Sequence, residues 1–277
     1  MGRGQPVWHS TVAFVLTALM AWTTSMSCAW ATGPAEQIDR AAALGPATDP
    51  RRSGSLDMSP ALRAMQADDS QNPALLWVAS GRERWRAECQ ACHGEVDTAM
   101  RGVATRYPAH DARSGRVLSL NQRIRACRGR PGGADTAARD GAESEPVLAL
   151  QALVALQSRG LPLRPPHDAT SDALASRGEQ VFRRRMGALA LSCADCHEAR
   201  AGLRLGGSLI PQGHPTGYPL YRLEWQGLGS LGRRLRACVV GVRATPFAGD
   251  SDDVLALEVY LARRAAGLLM DAPGLRP

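Results

Sequence analysis

Apolar residues recur at three- and four-residue intervals near the end of the chain. Val254, Leu257, Leu261 and Leu268 mark one face of a helix over 252–265. The same reading predicts helices over 60–65, 75–92, 120–127, 145–158, 172–196 and 228–238. Ser144 and Ser251 precede acidic residues and read as N-caps. Gly- and Pro-rich stretches separate the helices, and no run alternates convincingly enough to be a strand. The expected fold class is all-α, with much loop. Leu161-Pro162-Leu163-Arg164-Pro165-Pro166 cannot continue a helix and reads as a linker.

The elements come twice. Cys89-Gln90-Ala91-Cys92-His93 is matched by Cys193-Ala194-Asp195-Cys196-His197. Ser119-Leu120 through Arg125-Ala126-Cys127 is matched by Ser230-Leu231 through Arg236-Ala237-Cys238, and Val147-Leu148-Ala149-Leu150 by Val254-Leu255-Ala256-Leu257. Three blocks in one order, each repeated roughly one hundred residues on, indicate an internal duplication. The expected organisation is a leader over 1–31, a loop-rich N-terminal arm over 32–70, a first domain over 71–160, a linker over 161–170 and a second domain over 171–277.

Composition narrows the class. The chain has 277 residues, 44% hydrophobic and 21% charged, an ordinary globular balance. Aromatic residues are only 5%, thin for a core of this length. Net charge is +7, and all 33 basic residues are arginine. They are dispersed among acids and no nucleic-acid-binding motif accompanies them, so no nucleic-acid partner is expected. Arg3 is the only charge before Glu36, Val12 to Ala21 is apolar, and Ala29-Trp30-Ala31 is a small-x-small site. This pattern predicts a signal peptide cleaved near Ala31 and a periplasmic protein. The run is too short to span a bilayer, and no later segment does so. A lipid-anchored reading through Cys28 is weak, because Ser25-Met26-Ser27 poorly suits lipid attachment. Six of the seven cysteines then remain, and three disulfides would be the default for an exported chain.

Their spacing argues otherwise. Cys-x-x-Cys-His is the attachment pattern of c-type haem: the two sulfurs form thioethers with the vinyl groups, and the adjacent His reaches the iron. The predicted cofactors are two covalently bound haem c groups, on Cys89, Cys92 and His93 and on Cys193, Cys196 and His197. A thioredoxin-type motif would occur once beside strands, and zinc would want four ligands at each site. Haem also accounts for the scarcity of aromatics, since each half packs around a large planar group. Pro108 and Pro215 read as loop residues bordering those groups.

The distal ligands are less direct. No Met lies between His197 and Met270, so the candidates in the second half are His214 and Cys238; in the first they are Met100, His110 and Cys127. Met100 follows His93 closely for a ligand on the opposite face. The duplication brings Cys127 and Cys238 to equivalent positions, and the economical reading is thiolate ligation in both halves. A Cys127–Cys238 disulfide, free thiols and His ligation remain alternatives. Arg-x-Arg precedes each of these cysteines, with Arg233 and Arg243 adding charge near Cys238. Such charge lowers a thiol's pKa and attracts anions, although a solvated basic helix face would look the same.

From about Asn72 onward the chain resembles the SoxA subunit of the SoxAX cytochrome complex. The resemblance rests on Leu76-Trp77-Val78 with Trp85, on Gly102-Val103-Ala104-Thr105-Arg106-Tyr107-Pro108, and on Glu143-Ser144-Glu145. It continues through Tyr221-Arg222-Leu223, Arg234-Leu235-Arg236-Ala237-Cys238, Val242-Arg243-Ala244 with Pro246, and Pro273-Gly274-Leu275-Arg276-Pro277. The intact Cys89, Cys92, His93 and Cys127 match the dihaem members. Thr245 stands where the family pattern leads us to expect an acid.

The resemblance implies two tandem cytochrome c-like domains and an L-cysteine S-thiosulfotransferase, which joins thiosulfate oxidatively to a cysteine of the SoxYZ carrier. It implies a SoxX-like monohaem cytochrome partner that takes the electrons. Cys238 matches the active-site cysteine, a haem ligand that carries a persulfide, and Arg234 the substrate-contacting position. Cys127 matches a ligand of the first haem only. Two alternatives stand beside this reading. One is a thiosulfate dehydrogenase forming tetrathionate, the other a non-catalytic dihaem electron-transfer protein.

Overall fold

The computed structural model describes residues 49–129 and 141–277. The expected leader and the start of the arm lie outside the described residues. The rest of the arm forms a 3-10 turn, Gly54–Asp57, and then α1 (Pro60–Ala67). The first half follows as α2 (Ala74–Glu88), α3 (Gln90–His93), α4 (Val96–Ala99), the hairpin β1 (Ala109–Asp111) and β2 (Arg116–Leu118), α5 (Leu120–Arg128) and α6 (Glu145–Leu156). The second half runs α7 (Ala169–Arg183), α8 (Cys193–His197), the small hairpin β3 (Arg204–Leu205) and β4 (Ser208–Leu209), then β5 (Leu220–Arg222), β6 (Gly227–Gly229), α9 (Leu231–Gly241), α10 (Asp252–Arg264) and β7 (Gly274–Arg276). Elements α2, α3, β1, β2, α5 and α6 recur as α7, α8, β5, β6, α9 and α10, so the duplicated blocks hold duplicated structure.

Each half is built on one helix pair. On α2, Ala74, Val78, Gly81 and Trp85 are buried, a spacing that turns one stripe toward α6. A Cβ on Gly81 would lie 2.4 Å from the Ala149 carbonyl oxygen, so the helices cross backbone to backbone there. In the second half Gly178 of α7 meets Ala256 of α10 in the same way, at 2.0 Å. Phe182, Leu257 and Leu261 are among the buried residues of this second core. Burying one such side chain contributes about 1.5–3 kcal/mol.

The all-α expectation needs correcting. Seven short strands pair among the described residues, with β6-β5-β7 forming a three-stranded sheet in which β5 and β7 are parallel. Strands of two or three residues are too short to show alternation. Two predicted helices are also broken. Only α2 and α3 cover 75–92, with Cys89 between them at ψ −33°, and the 172–196 stretch leaves helix at Arg184. Leu228 belongs to β6, and the following helix starts after Ser230, whose hydroxyl accepts the Arg233 N–H. Ser144 and Ser251 occupy the N-cap positions of α6 and α10, but neither side chain makes a cap bond and both hydroxyl oxygens are buried without partners.

The halves interlock. Val117 of β2 packs on Leu255 and Val259 of α10, while its counterpart Leu228 of β6 joins the core built on α2 and α6. The cap serine of α9, Ser230, hydrogen-bonds Glu143 of the first half. The linker is pinned as well: Leu163 is buried, its N–H donates to Leu268, and Arg164 N–H donates to Thr105. No helix among the described residues is long and apolar enough to cross a membrane.

Candidate functional site

In the second half the Cys-x-x-Cys-His run is a single helical turn. Ser192 caps it, accepting from Asp195 N–H at 3.1 Å, while the Asp195 carboxylate accepts from Ser192 N–H at 2.9 Å. Positions i, i+3 and i+4 share one helix face, so Cys193, Cys196 and His197 gather on one side. The His197 ring nitrogen Nδ1 lies 2.7 Å from the Pro211 carbonyl oxygen. As a donor there, Nδ1 fixes the tautomer and leaves Nε2 as a free lone pair, the arrangement a metal-ligating His needs. Burial pushes the imidazole pKa down, with Arg234 and Arg264 acting in the same sense against the Pro211 bond. Gly213, at φ 77°, lies against the ring: a Cβ there would sit 3.2 Å from it.

Cys193, His197, Arg234 and Cys238 line one cavity of about 650 Å³, with Phe182, Leu257 and Leu261 among its apolar walls. That volume lies in the range of small-molecule and cofactor sites. Burial pushes the Cys193 thiol up to about 11, and Cys238, which lines the same cavity, adds to the effect. Tyr218 also lines the cavity; burial pushes its hydroxyl up to about 12, with Arg234 and Cys238 as the next influences. The donor set suits a covalently held haem: Cys193 and Cys196 on one face of a helical turn, a His whose Nδ1 is engaged with its Nε2 free, and Cys238 lining the same cavity as Cys193 and His197.

The first-half motif is more open, with Cys92 and His93 exposed. Trp85 organises it. Its indole N–H donates to the Gly94 carbonyl at 2.9 Å, and its ring lies 5.7 Å from the His93 ring. Burial pushes Cys89 up to about 11, with Glu88 and then Cys127 adding to the effect. Cys127 thus acts on the Cys89 thiol in the same sense as Cys238 acts on Cys193. All six cysteines among the described residues are free, so Cys127 and Cys238 are not joined. Of the other distal candidates, Met100 packs against the first core, His110 is exposed on β1, and His214 is buried with Nδ1 2.9 Å from the Arg52 carbonyl.

The ring of arginine expected around Cys238 is mostly committed elsewhere. Arg236 pairs with Glu143 at 3.3 Å, Arg233 stacks 4.2 Å over Trp225, and Arg243 is exposed. Around Cys127, Arg123 pairs with Asp111 at 2.6 Å and Arg125 with Asp250 at 2.5 Å. Arg234 makes no ion pair with an acid among the described residues. It lies one helical turn before Cys238, on the same face of α9.

Sequence patterns did not reveal that the N-terminal arm and the last residues close this cavity. Met58 and Leu62 of the arm line it, as do Arg276 and Pro277. A buried polar network ties them down: Asp271 accepts from Ser53 at 2.8 Å, and Gln66 accepts from Arg276 at 2.7 Å. The matching Tyr-Pro of each half was a usable signal for Tyr218, and the Gly213–His214 pair one for the wall behind His197.

Comparison with known proteins agrees with this geometry. The family model described as SoxA/TsdA, cytochrome c domain, matches residues 74–163 and 177–270. The L-cysteine S-thiosulfotransferase subunit SoxA of Rhodovulum sulfidophilum is 34% identical over 88% of each chain. That of Paracoccus pantotrophus is 31% identical over 77% of this chain and 75% of its own. Among solved structures, SoxXA from P. pantotrophus superposes with a TM-score of 0.76 at 30% identity, covering 82% of this chain and 87% of that one. A cytochrome c domain implies covalently bound haem c. On fold, site and sequence alike, the chain belongs to the SoxA family of c-type cytochromes.

Proposed function

We propose that this chain is the dihaem subunit of a periplasmic L-cysteine S-thiosulfotransferase. Haem c would be held on Cys89 and Cys92 with His93, and on Cys193 and Cys196 with His197, with Cys127 and Cys238 as the further sulfur ligands. Its partners are a SoxX-like monohaem cytochrome and the SoxYZ carrier. The observation that carries the reading is the meeting of His197, Cys238 and Arg234 in one cavity. The SoxA names of the relatives and the SoxXA neighbour support it.

In the reaction the terminal sulfur of thiosulfate bonds to the sulfur of the carrier cysteine. The thiol proton is released and two electrons leave. Haem bound at this site would supply the electron acceptor. Arg234 binds the sulfonate oxygens, offering a planar fork of N–H donors to an anion. Cys238 holds a reactive sulfur beside that anion; once the terminal sulfur of thiosulfate is bonded to it with loss of the two electrons, the incoming carrier thiolate takes the S-sulfonate group by exchange and releases the Cys238 thiolate. His197, oriented through the Pro211 carbonyl, fixes the opposite side of the site.

The test is Cys238→Ala in the haem-loaded complex. Carrier-dependent turnover is expected to disappear while covalent haem remains. Retained turnover rules out a catalytic Cys238. Tetrathionate formed from thiosulfate without any carrier would instead identify a thiosulfate dehydrogenase. Low-temperature electron paramagnetic resonance places the ligands: thiolate-type low-spin signals should vanish one at a time in Cys127 and Cys238 variants.

A further inference from the structure

The duplication provides an internal control for charge. The stretch from Thr105 to Cys127 aligns without gaps on Thr216 to Cys238. The strand registers agree: Asp111 faces Arg116 across the first hairpin, and Arg222 faces Gly227 across the second. Arg123 therefore corresponds to Arg234, and Asp111 to Arg222. In the first half these positions hold an ion pair, Arg123 to Asp111 at 2.6 Å. In the second half the acid is replaced by a guanidinium, and both Arg222 and Arg234 line the cavity with Cys238.

We propose that Arg222 and Arg234 form a two-sided clamp for the thiosulfate dianion beside Cys238, Arg222 being a substrate-binding residue in its own right. The proposal rests on the functional reading above and extends it. Two guanidinium groups on adjoining elements repel each other unless an anion lies between them. Burial, and then the charge of Arg234, push the Arg222 pKa down. The acid nearest Arg222 is Glu224 at 3.0 Å, but its side chain is 64% exposed and compensates little. The Arg222 Nε is buried with no partner. Arg276, also in the cavity wall, is by contrast paired with the nearly buried Asp271 at 3.5 Å.

A haem propionate is the other anion that could seat between them. Both halves carry the same attachment motif, and the same group would ask for the same charges in both. Only the second half has exchanged acid for arginine, and the arginine it gained lines the same cavity as the sulfur proposed to react. The exchange therefore fits an anion that only the second half receives.

The experiment titrates thiosulfate calorimetrically into the ferric, haem-loaded complex with the carrier omitted. Arg222→Gln should weaken binding about tenfold and Arg222→Asp about a hundredfold, the latter because an acid would pair with Arg234 as Asp111 does with Arg123. Arg222→Lys should retain most of the affinity. Covalent haem content and the low-spin spectrum should stay unchanged in all three. Wild-type affinity in Arg222→Gln and Arg222→Asp overturns the clamp. So does unchanged affinity with a shifted midpoint potential of the second haem, which would assign Arg222 to a propionate. Weakened binding here together with retained turnover in Cys238→Ala would sink the catalytic reading and leave the clamp standing. The reverse pattern would remove only the clamp.

Discussion

Replacing Gly178 by Ala adds a single methyl group at the crossing of α7 and α10. Its carbon would lie 2.0 Å from the Ala256 carbonyl oxygen, 2.6 Å from that carbonyl carbon and 2.7 Å from Tyr260 Cβ. A carbon and an oxygen rest at about 3.3 Å, so the backbones must separate by roughly 1.3 Å at that point. None of the three is the far end of a flexible side chain, and the strain has nowhere local to go. Overpacking of this kind costs about 1–3 kcal/mol, while alanine's better helix propensity returns about 1 kcal/mol. We expect a net loss of up to about 2 kcal/mol, or about 2–4 °C in unfolding midpoint for each kcal/mol. Gly241→Ala is the control. It too is helical, but a Cβ there meets nothing within 4 Å, so the same substitution should be neutral or stabilising. Thermal unfolding of the haem-loaded protein, followed by far-ultraviolet circular dichroism, reads both. An unchanged or raised midpoint for Gly178→Ala would refute the close crossing. Because Phe182 and Leu257 line the cavity from these helices, the variant should also loosen the second site before the first.

Gly213→Ala forces a side chain into the left-handed region and against the His197 ring, at about 1–3 kcal/mol of backbone strain. The expected result is a changed low-spin signal and midpoint potential of the second haem, with the first unaffected. Glu258 is pushed up to about 7 by burial; Asp250 and Glu143 reinforce this, and the Ser119 hydroxyl and Arg236 oppose it. The folded state thus holds its proton more tightly than the unfolded one, and stability falls as pH rises from about 4.5 to about 7. Glu258→Gln should therefore match wild type near pH 4 and unfold at higher temperature at pH 8. Ser230→Ala removes the α9 cap and the bond to Glu143, and should cost about 1–2 kcal/mol in chemical denaturation.

Much of the second site was legible because its chemistry is local. Two cysteines and a His within five residues place their side chains on one helical face wherever the turn forms. The repeat of that pattern, followed in each copy by a lone cysteine, announced two equivalent halves. Helix pairs were legible too, since buried stripes repeat over many residues. The short strands were not: two or three residues carry no period, and the partner of β5 in β7 lies some fifty residues further along the chain. The breaks at Cys89 and Arg184 were hidden for a related reason, because helix propensity continues through both.

The sequence alone determined the attachment motifs, the duplication and the candidate sulfurs, all properties of residue type and spacing. Only tertiary structure decided which arginines remain uncommitted near those sulfurs. Arg123, Arg125, Arg236 and Arg234 look alike along the chain, yet the first three find acids on other elements and the last does not. Charge acts through space over a few ångströms, and the fold sets those distances by turning Asp111 back across a hairpin and by bringing Asp250 and Glu143 against helices far from them in sequence.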